Sequence, residues 1–538
     1  MDILFCILQC RDDVGVFDEP GIASLVAIAK HEGISVNVKS FLLKEIDDAY
    51  DYIIENKPDM LAFTTYDYSF EFIIKFIEKV KDQLPGIKAC LGGYSASYNY
   101  QYIMEQYGFI DYIIVGEAEI SFIELIRCIE NGNKNFHTIK GLCYRSNNEI
   151  RFNEGCSAIK DLDSLPFSDR TLLTSRNFNM ANMTTTRGCT HHCTFCCSND
   201  YWGNNKKNGM GFRAMTPKRV VDEIEHIVKT YNKFRFVFSN NSFEDPNNNT
   251  ESQLEIINEI MSRGLKIYFS VNYRVPFYKH ATKDFMEKMT EAGLCAIFLG
   301  VESGNDFDLR IYNKGFTAQD AKLAVKYFSS FDALYLEPGF INFNPYTTLS
   351  ALHKNNEFLY ELGINYNVLH FASKLIPYKG TTIYNRLEKE NLIVIKDCIQ
   401  DIDIKFINSE IEAIFRYFNN LITENKELRK HCFLCKEIPL MIAFLKRFAK
   451  NNSDDNALKI ISNTDKQIKE IMSTLNSQNS EWFNEMLQYN YAINNPTSVT
   501  KKYLVDTNAI SLYSQMVALR SKLYKDLYKY DPKYMNIF

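Results

Sequence analysis

Cys189, Cys193 and Cys196 fall in the segment TTTRGCTHHCTFCCSND with the spacing C-x3-C-x2-C. Three thiolates this close in sequence can hold one metal cluster but cannot complete it alone. Cysteine thiolates are the usual ligands of iron–sulfur clusters, and a 4Fe–4S cube has four irons to satisfy. A three-cysteine loop therefore leaves one iron open to a small molecule. Zinc is the competing reading, because His191 and His192 offer nitrogen ligands inside the loop. Zinc sites, however, normally gather four ligands in paired clusters. Cys432 and Cys435 in HCFLC form a C-x2-C pair. Their region supplies too few thiolates for a second cluster, so two buried structural thiols are expected there.

The elements that must position this loop read as α/β. The chain has 538 residues, 46% hydrophobic and 24% charged, an ordinary globular composition long enough for about three domains. The formal net charge is −5 with no basic block, which argues against nucleic acid as the main partner. No apolar run approaches the ~20 residues that span a bilayer, so no membrane partner is expected. No signal peptide is read in MDILFCILQCRDD, and the 14 cysteines are irregularly spaced, so a reducing cytoplasm is the expected compartment.

In the first 135 residues, short apolar runs at 3–8, 35–41, 60–65, 87–93 and 112–116 read as strands. Helical patterns at 21–32, 45–56, 69–83, 98–107 and 119–131 alternate with them. That alternation predicts a parallel, doubly wound sheet of flavodoxin or Rossmann type. Its ligands would bind at the carboxyl ends of the strands, in Gln9–Gly15, Thr64–Ser69, Gly92–Ser95 and Gly116–Glu119. Residues 136–179 read as a hairpin (141–155) followed by an extended linker ending near DLDSLPFSDR.

Residues 180–399 repeat the alternation. Strands are expected at 183–187, 234–239, 266–271, 296–301, 338–343 and 368–373, with helices at 217–231, 250–263, 281–293, 317–328 and 349–362. Six such units suit a partial (β/α)6 TIM barrel, whose chemistry sits at the carboxyl ends of the strands. Residues 400–538 read as a helical accessory domain, with helices at 409–425, 436–450, 457–476, 479–489 and 508–528 and polar breaks at 451–456 and 494–498.

The cysteine loop, with Phe195 just before the third cysteine, resembles that of the radical S-adenosylmethionine (SAM) superfamily. LGVESGND (299–306), KGFT (314–317), FINFNPYTT (340–348) and LIPYKGTTIYNRL (375–387) follow in that family's order. The segments KPDMLAFTTYDYS, LPGIKACLGGYSAS and DYIIVGEAEISF resemble the cobalamin-binding domain that precedes many radical SAM cores. The resemblance implies a 4Fe–4S cluster on Cys189, Cys193 and Cys196. It implies SAM contacts from Phe195, Asn240, Asn241, Arg274 and Glu302, and cobalamin contacts from Thr64, Tyr66, Gly92, Gly93, Tyr94, Gly116 and Glu117. Two departures stand out. The D-x-H-x-x-G motif of other cobalamin proteins is absent, and His31 reads as a surface residue. Asn240 and Asn241 replace an acidic pair, so they can hydrogen-bond but cannot balance the ammonium of SAM.

The chemistry so implied is methyl transfer to an unactivated carbon of a small metabolite or peptide, through a 5′-deoxyadenosyl radical and methylcobalamin. An electron donor such as flavodoxin or ferredoxin would serve it. The alternative is cyclisation, ring contraction or oxidation with the same cofactors.

Overall fold

The computed structural model describes residues 1–9, 18–132, 135–147, 149–176, 178–198, 201, 211–244, 249–396, 401–488 and 508–537. Of the features read above, residues 10–15, Asn148, Asn199, Asp200, 245–246 and 494–498 lie outside them.

The first domain is built on β1 (Ile3–Gln9), β2 (Val36–Leu42), β3 (Met60–Thr64), β4 (Lys88–Gly92) and β5 (Tyr112–Ile114), parallel in the order β2-β1-β3-β4-β5. Helices Pro20–His31, Ile46–Asn56, Asp67–Gln83, Gly93–Gln106 and Glu119–Glu130 cover both faces. β1 is accordingly buried at nearly every position, as a strand covered on both sides must be. The order reverses between β1 and β3, and the crevice at such a switch point takes ligands. The helix after β4 begins at Gly93, five residues earlier than its periodicity suggests. His31 is exposed at the end of its helix.

The expected connector hairpin is part of this sheet. β6 (Leu142–Ser146) pairs antiparallel with β5, and β7 (Glu149–Phe152) pairs with β6, giving seven strands. β5 is three residues long and wholly buried, and the hairpin covers an edge that would otherwise be open.

The core sheet consists of β8 (Met180–Met183), β11 (Arg235–Phe238), β12 (Tyr268–Arg274), β13 (Leu294–Glu302) and β14 (Tyr335–Phe340), all parallel in the order β14-β13-β12-β11-β8. Its first strand ends at Met183, where it was expected to begin. Thr186–Arg187 (β9) instead pairs antiparallel with Arg213–Ala214 (β10). The cause is Asn240, whose carbonyl accepts the N–H groups of Thr185 at 2.8 Å and Thr186 at 3.2 Å.

The expected sixth strand, 368–373, is a 3-10 turn, Val368–Ala372, capped by Asn367 accepting from the Leu369 N–H. Val368 and Phe371 are buried against the tail, which turns the segment away from the sheet. A single parallel bridge, Phe343–Lys374, is what remains of that pairing.

One apolar cluster runs from Phe5 and Phe122 of the first domain to Phe236 and Phe269 of the core, so the two share a hydrophobic interior. The tail has its own cluster. Its helices are Ser409–Glu424, Lys426–Asn451, Asp455–Gln488 and Ala509–Tyr530. The segments expected as two helices at 457–476 and 479–489 form one continuous helix. Asn476, Asn479 and Ser480 at that junction face inward, and Asn476 and Asn479 hydrogen-bond Tyr360 and Asn365 of the core. Cys432 and Cys435 are buried on Lys426–Asn451. No described helix is long and apolar enough to cross a membrane.

Candidate cofactor site

The cysteine loop leaves β9 through Gly188, whose φ of +84° suits glycine. A Cβ there would stand 2.9 Å from the Gly211 carbonyl oxygen. The loop is then tied down along its length. Thr194 donates its N–H to the Tyr312 carbonyl at 3.0 Å and its hydroxyl to the Ile311 carbonyl at 2.7 Å, and accepts the Ile383 N–H at 2.9 Å. Asn313 donates to the His192 carbonyl at 2.8 Å, and the His191 ring meets the Asn313 carbonyl at 2.9 Å. The loop histidines thus serve the turn at 311–313. Among the described residues no three His, Cys, Asp or Glu side chains are gathered around a single-ion position.

Burial raises the pKa of Cys193, with Lys314 opposing it, and pushes the Cys196 thiol up to about 11. Metal binding at these thiols must therefore release protons. Lys314 is 4% exposed and donates to Glu302 at 3.1 Å. Burial pulls its ammonium down, but Glu302 and then Cys193 outweigh burial and hold the pKa above the ordinary lysine value.

Glu302 ends β13 with φ +69°, at a register shift against β14. Gly300 and Gly339 make room for its carboxylate, since Cβ atoms there would lie 3.1 and 3.3 Å from its oxygens. Phe195 packs edge-on against Tyr312 at 5.4 Å. A buried carboxylate–ammonium pair beside the cluster loop suits the amino-acid end of SAM, a zwitterion able to exchange partners with it.

The other residues expected at SAM also make hydrogen bonds within the protein. Asn240 is a brace, donating to the Thr185 hydroxyl at 2.7 Å as well as accepting from the strand. Arg274 is held by Glu244 at 2.8 and 3.2 Å, and Glu244 also takes the Ser242 hydroxyl at 2.6 Å. Asn241 faces the first domain. The sequence reading passed over Lys314, which opens the KGFT segment, and Glu244, four residues past Asn240. No local pattern marks either, since Lys314 sits between Asn313 and Gly315 and Glu244 between Phe243 and Asp245.

All seven cobalamin candidates line one cavity of about 400 Å3 between the strand ends of the first sheet and the mouth of the core. Asn182, Thr184, Thr186, Arg187, Ser239 and Asn241 form its opposite wall. Phe5, Ala62, Cys90, Ile114 and Phe122 make an apolar floor. Gly93 (φ +88°) lets the chain turn against Thr64 and Thr65, where a Cβ would come within 2.7 Å of the Thr64 hydroxyl. Tyr94 stacks on Tyr201 at 4.2 Å, and Tyr201 donates to the Gly116 carbonyl at 2.8 Å. Tyr66 donates to Glu19 at 2.8 Å, and burial keeps the Glu19 carboxyl above its ordinary pKa. A corrin ring is an apolar plane fringed with amides and trailing an aromatic base. An apolar floor with a rim of hydroxyls and main-chain groups fits it.

Glu117 lines the cavity and also ties the two domains together. It is 4% exposed and pairs with Arg187 at 2.6 Å and Arg213 at 2.5 Å, both from the core. Glu119 pairs with Arg187 at 2.6 Å. These carboxylates fasten the first domain to the strand that leads into the cysteine loop. Tyr98 of the same domain donates its hydroxyl to the Cys197 carbonyl at 3.1 Å.

The radical SAM superfamily domain matches residues 183–332, and the B12 binding domain matches residues 14–126. The anaerobic magnesium-protoporphyrin IX monomethyl ester cyclase of Cereibacter sphaeroides is 27% identical over 55% of this chain, which spans 50% of that relative's length. An uncharacterized methyltransferase of Pyrococcus horikoshii is 24% identical over 71% of this chain and 81% of its own. Among solved structures, the cobalamin-dependent S-adenosylmethionine radical enzyme OxsB with aqua-cobalamin and S-adenosylmethionine bound superposes with a TM-score of 0.64 at 16% identity, over 96% of this chain and 84% of OxsB. This chain thus carries a segment that matches the B12 binding domain, residues 14–126, ahead of one that matches the radical SAM superfamily domain, residues 183–332.

Proposed function

We propose that this protein is a cobalamin-dependent radical SAM methyltransferase acting on an unactivated carbon of a small metabolite or peptide. One observation carries the reading. The strand ends suited to cobalamin and the strand leading into the cysteine loop open on the same cavity, with Gly92, Gly116 and Thr186 among its walls. When bound, the cluster and SAM supply a hydrogen-abstracting radical, and cobalamin supplies a transferable methyl group.

The chain's own residues do the rest. Cys189, Cys193 and Cys196 hold the cluster. Lys314 and Glu302 hold the carboxylate and ammonium of SAM, and the Glu244–Arg274 pair fixes the neighbouring strand ends. The tyrosines at positions 66, 94 and 201 and the apolar floor exclude water from the cavity. The three cluster cysteines are half-buried near the loop surface, which suits delivery of electrons by a flavodoxin or ferredoxin in the cytoplasm.

A second reading, ring closure or oxidation without methyl transfer, is favoured by the cyclase among the relatives. Anaerobic reconstitution followed by incubation with methyl-labelled SAM and a reductant separates the two. Methyl transfer puts label in a substrate and in cobalamin. Label found in methionine alone, with deoxyadenosine formed, rejects methyl transfer. Protein that takes up neither about four irons per chain nor cobalamin rejects both readings.

A further inference from the structure

The outer edge of β14 is only half covered. Beyond Phe340 the chain meets the segment after the 3-10 turn, where Asn342 and Phe343 donate to the Ser373 carbonyl at 3.0 and 2.9 Å and Leu375 donates to the Phe343 carbonyl at 2.8 Å. The amino half of the strand, 335–338, has no strand beside it among the described residues. A cavity of about 530 Å3 lies there, closed by the tail helices Lys426–Asn451 and Asp455–Gln488. The sixth strand that the sequence led us to expect would have filled this space.

The cavity has an apolar waist, formed by Leu334, Leu336, Ile364, Ile442, Ala443 and Met472. Each end is charged. At one end Glu337 takes the Tyr335 hydroxyl and pairs with Lys436 at 2.6 Å. The His370 ring also lines this cavity, with no side-chain hydrogen-bond partner among the described residues, and burial lowers its pKa to about 4, leaving it neutral. At the other end Asp465 pairs with Lys446 at 2.6 Å and Lys469 at 2.9 Å. Lys436 and Lys446 belong to one helix, and their spacing places the two ends about 15 Å apart at ~1.5 Å per residue.

We propose that this cavity binds a short peptide of three or four residues with apolar side chains and free termini, extended along the open edge of β14. An unpaired edge offers main-chain hydrogen bonds to an added strand. Three or four extended residues advance about 10–14 Å, enough to place the ammonium near Glu337 and the carboxylate near Lys446 and Lys469. Apolar side chains fill the waist. A free amino acid is too short to reach both ends. The site shares no lining residue with the interdomain cavity, so it stands or falls independently of the methyltransferase reading.

Isothermal titration of the full chain with Leu-Ala-Leu and Leu-Ala-Ala-Leu tests this. N-acetylated, C-amidated versions and free leucine serve as comparisons. The free-ended peptides bind saturably, and blocking both ends weakens binding about tenfold or more, the loss of one or two charged hydrogen bonds. Ala443→Phe fills the waist and abolishes binding, with circular dichroism confirming its fold. Glu337→Gln keeps the shape of the site, weakens the free-ended peptides about tenfold and leaves the blocked ones unchanged. The proposal is overturned if wild-type protein binds neither peptide, if free leucine binds equally well, or if Glu337→Gln binds the free-ended peptides like wild type.

Discussion

Replacing Glu117 with alanine tests how the interdomain cavity is held together. The carboxylate is buried between two guanidinium groups, at 2.6 Å from Arg187 and 2.5 Å from Arg213. Arg187 keeps Glu119 after the substitution. Arg213, itself 9% exposed, loses its ion pair with Glu117 and keeps its donation to the Ile159 carbonyl. Removing one partner of a buried pair costs about 3–5 kcal/mol, and ~3 kcal/mol is roughly a hundredfold change in a local opening equilibrium.

The amides that report this opening are nearby. Met215 donates to the Thr185 carbonyl at 2.9 Å, and Gly116 donates to the Ser97 hydroxyl at 3.1 Å. Hydrogen–deuterium exchange of the metal-free chain, read on peptides covering 113–118 and 211–216, is expected to accelerate roughly a hundredfold in Glu117→Ala. The double variant Glu117→Leu with Arg213→Met replaces the pair by apolar groups and recovers most of the protection, because the desolvation cost leaves with the charges. An acceleration under about tenfold, or a double variant no better protected than Glu117→Ala, refutes the account of the junction as an ion-paired fastening.

Gly93→Ala forces a Cβ to 2.7 Å from the Thr64 hydroxyl and 3.0 Å from the Thr65 backbone at φ +88°. It is expected to cost ~1–3 kcal/mol and to reduce cobalamin uptake, measured by absorbance after desalting. Cys193→Ala is expected to lose cluster iron and deoxyadenosine formation while staying soluble. Cys197→Ala keeps both, since Tyr98 contacts its main-chain oxygen; iron and product analysis distinguish them. Burial pushes Glu119 and Glu223 up, but Arg187 and Arg170 outweigh it and hold both carboxyls below the ordinary value of 4.5. A lowered carboxyl stabilises the fold above that value and loses its contribution as pH falls through the folded pKa. The unfolding midpoint should therefore drop between about pH 5 and pH 3, and drop less in Glu119→Gln.

Periodicity and spacing made the alternating strands and helices of both sheets legible, because burial on two faces writes itself as apolar runs such as Ile3–Gln9. The cysteine spacing was legible because its ligands are neighbours in sequence. What escaped was non-local. The ion pairs of Glu117 were not legible because its partners, Arg187 and Arg213, lie 70 and 96 residues away. The bracing by Asn240 was not legible because the main chain it holds is 55 residues earlier. The segment 368–373 has the composition of a strand. Its apolar residues pack instead on a tail cluster built largely after residue 409, which no local window contains.

The approach to the first cysteine is fixed in part from outside the core. Asn240 takes the N–H groups of Thr185 and Thr186, Glu117 and Glu119 take the side chain of Arg187, and Gly188 turns against Gly211. Two of these three supports meet within the core; the middle one belongs to the first domain. A fragment beginning at residue 180 would retain Arg187 and Arg213 while losing both carboxylates, and would bare the apolar cluster that Phe5 and Phe122 share with Phe236. Exposing that shared interior and removing the carboxylates that pair with Arg187 and Arg213 each cost several kcal/mol, comparable to the whole stability of a domain. The fragment is therefore expected to be insoluble or to bind no iron when expressed alone. A soluble fragment with about four irons per chain would show that the cysteine loop is shaped by the core alone and that the first domain merely rests on it.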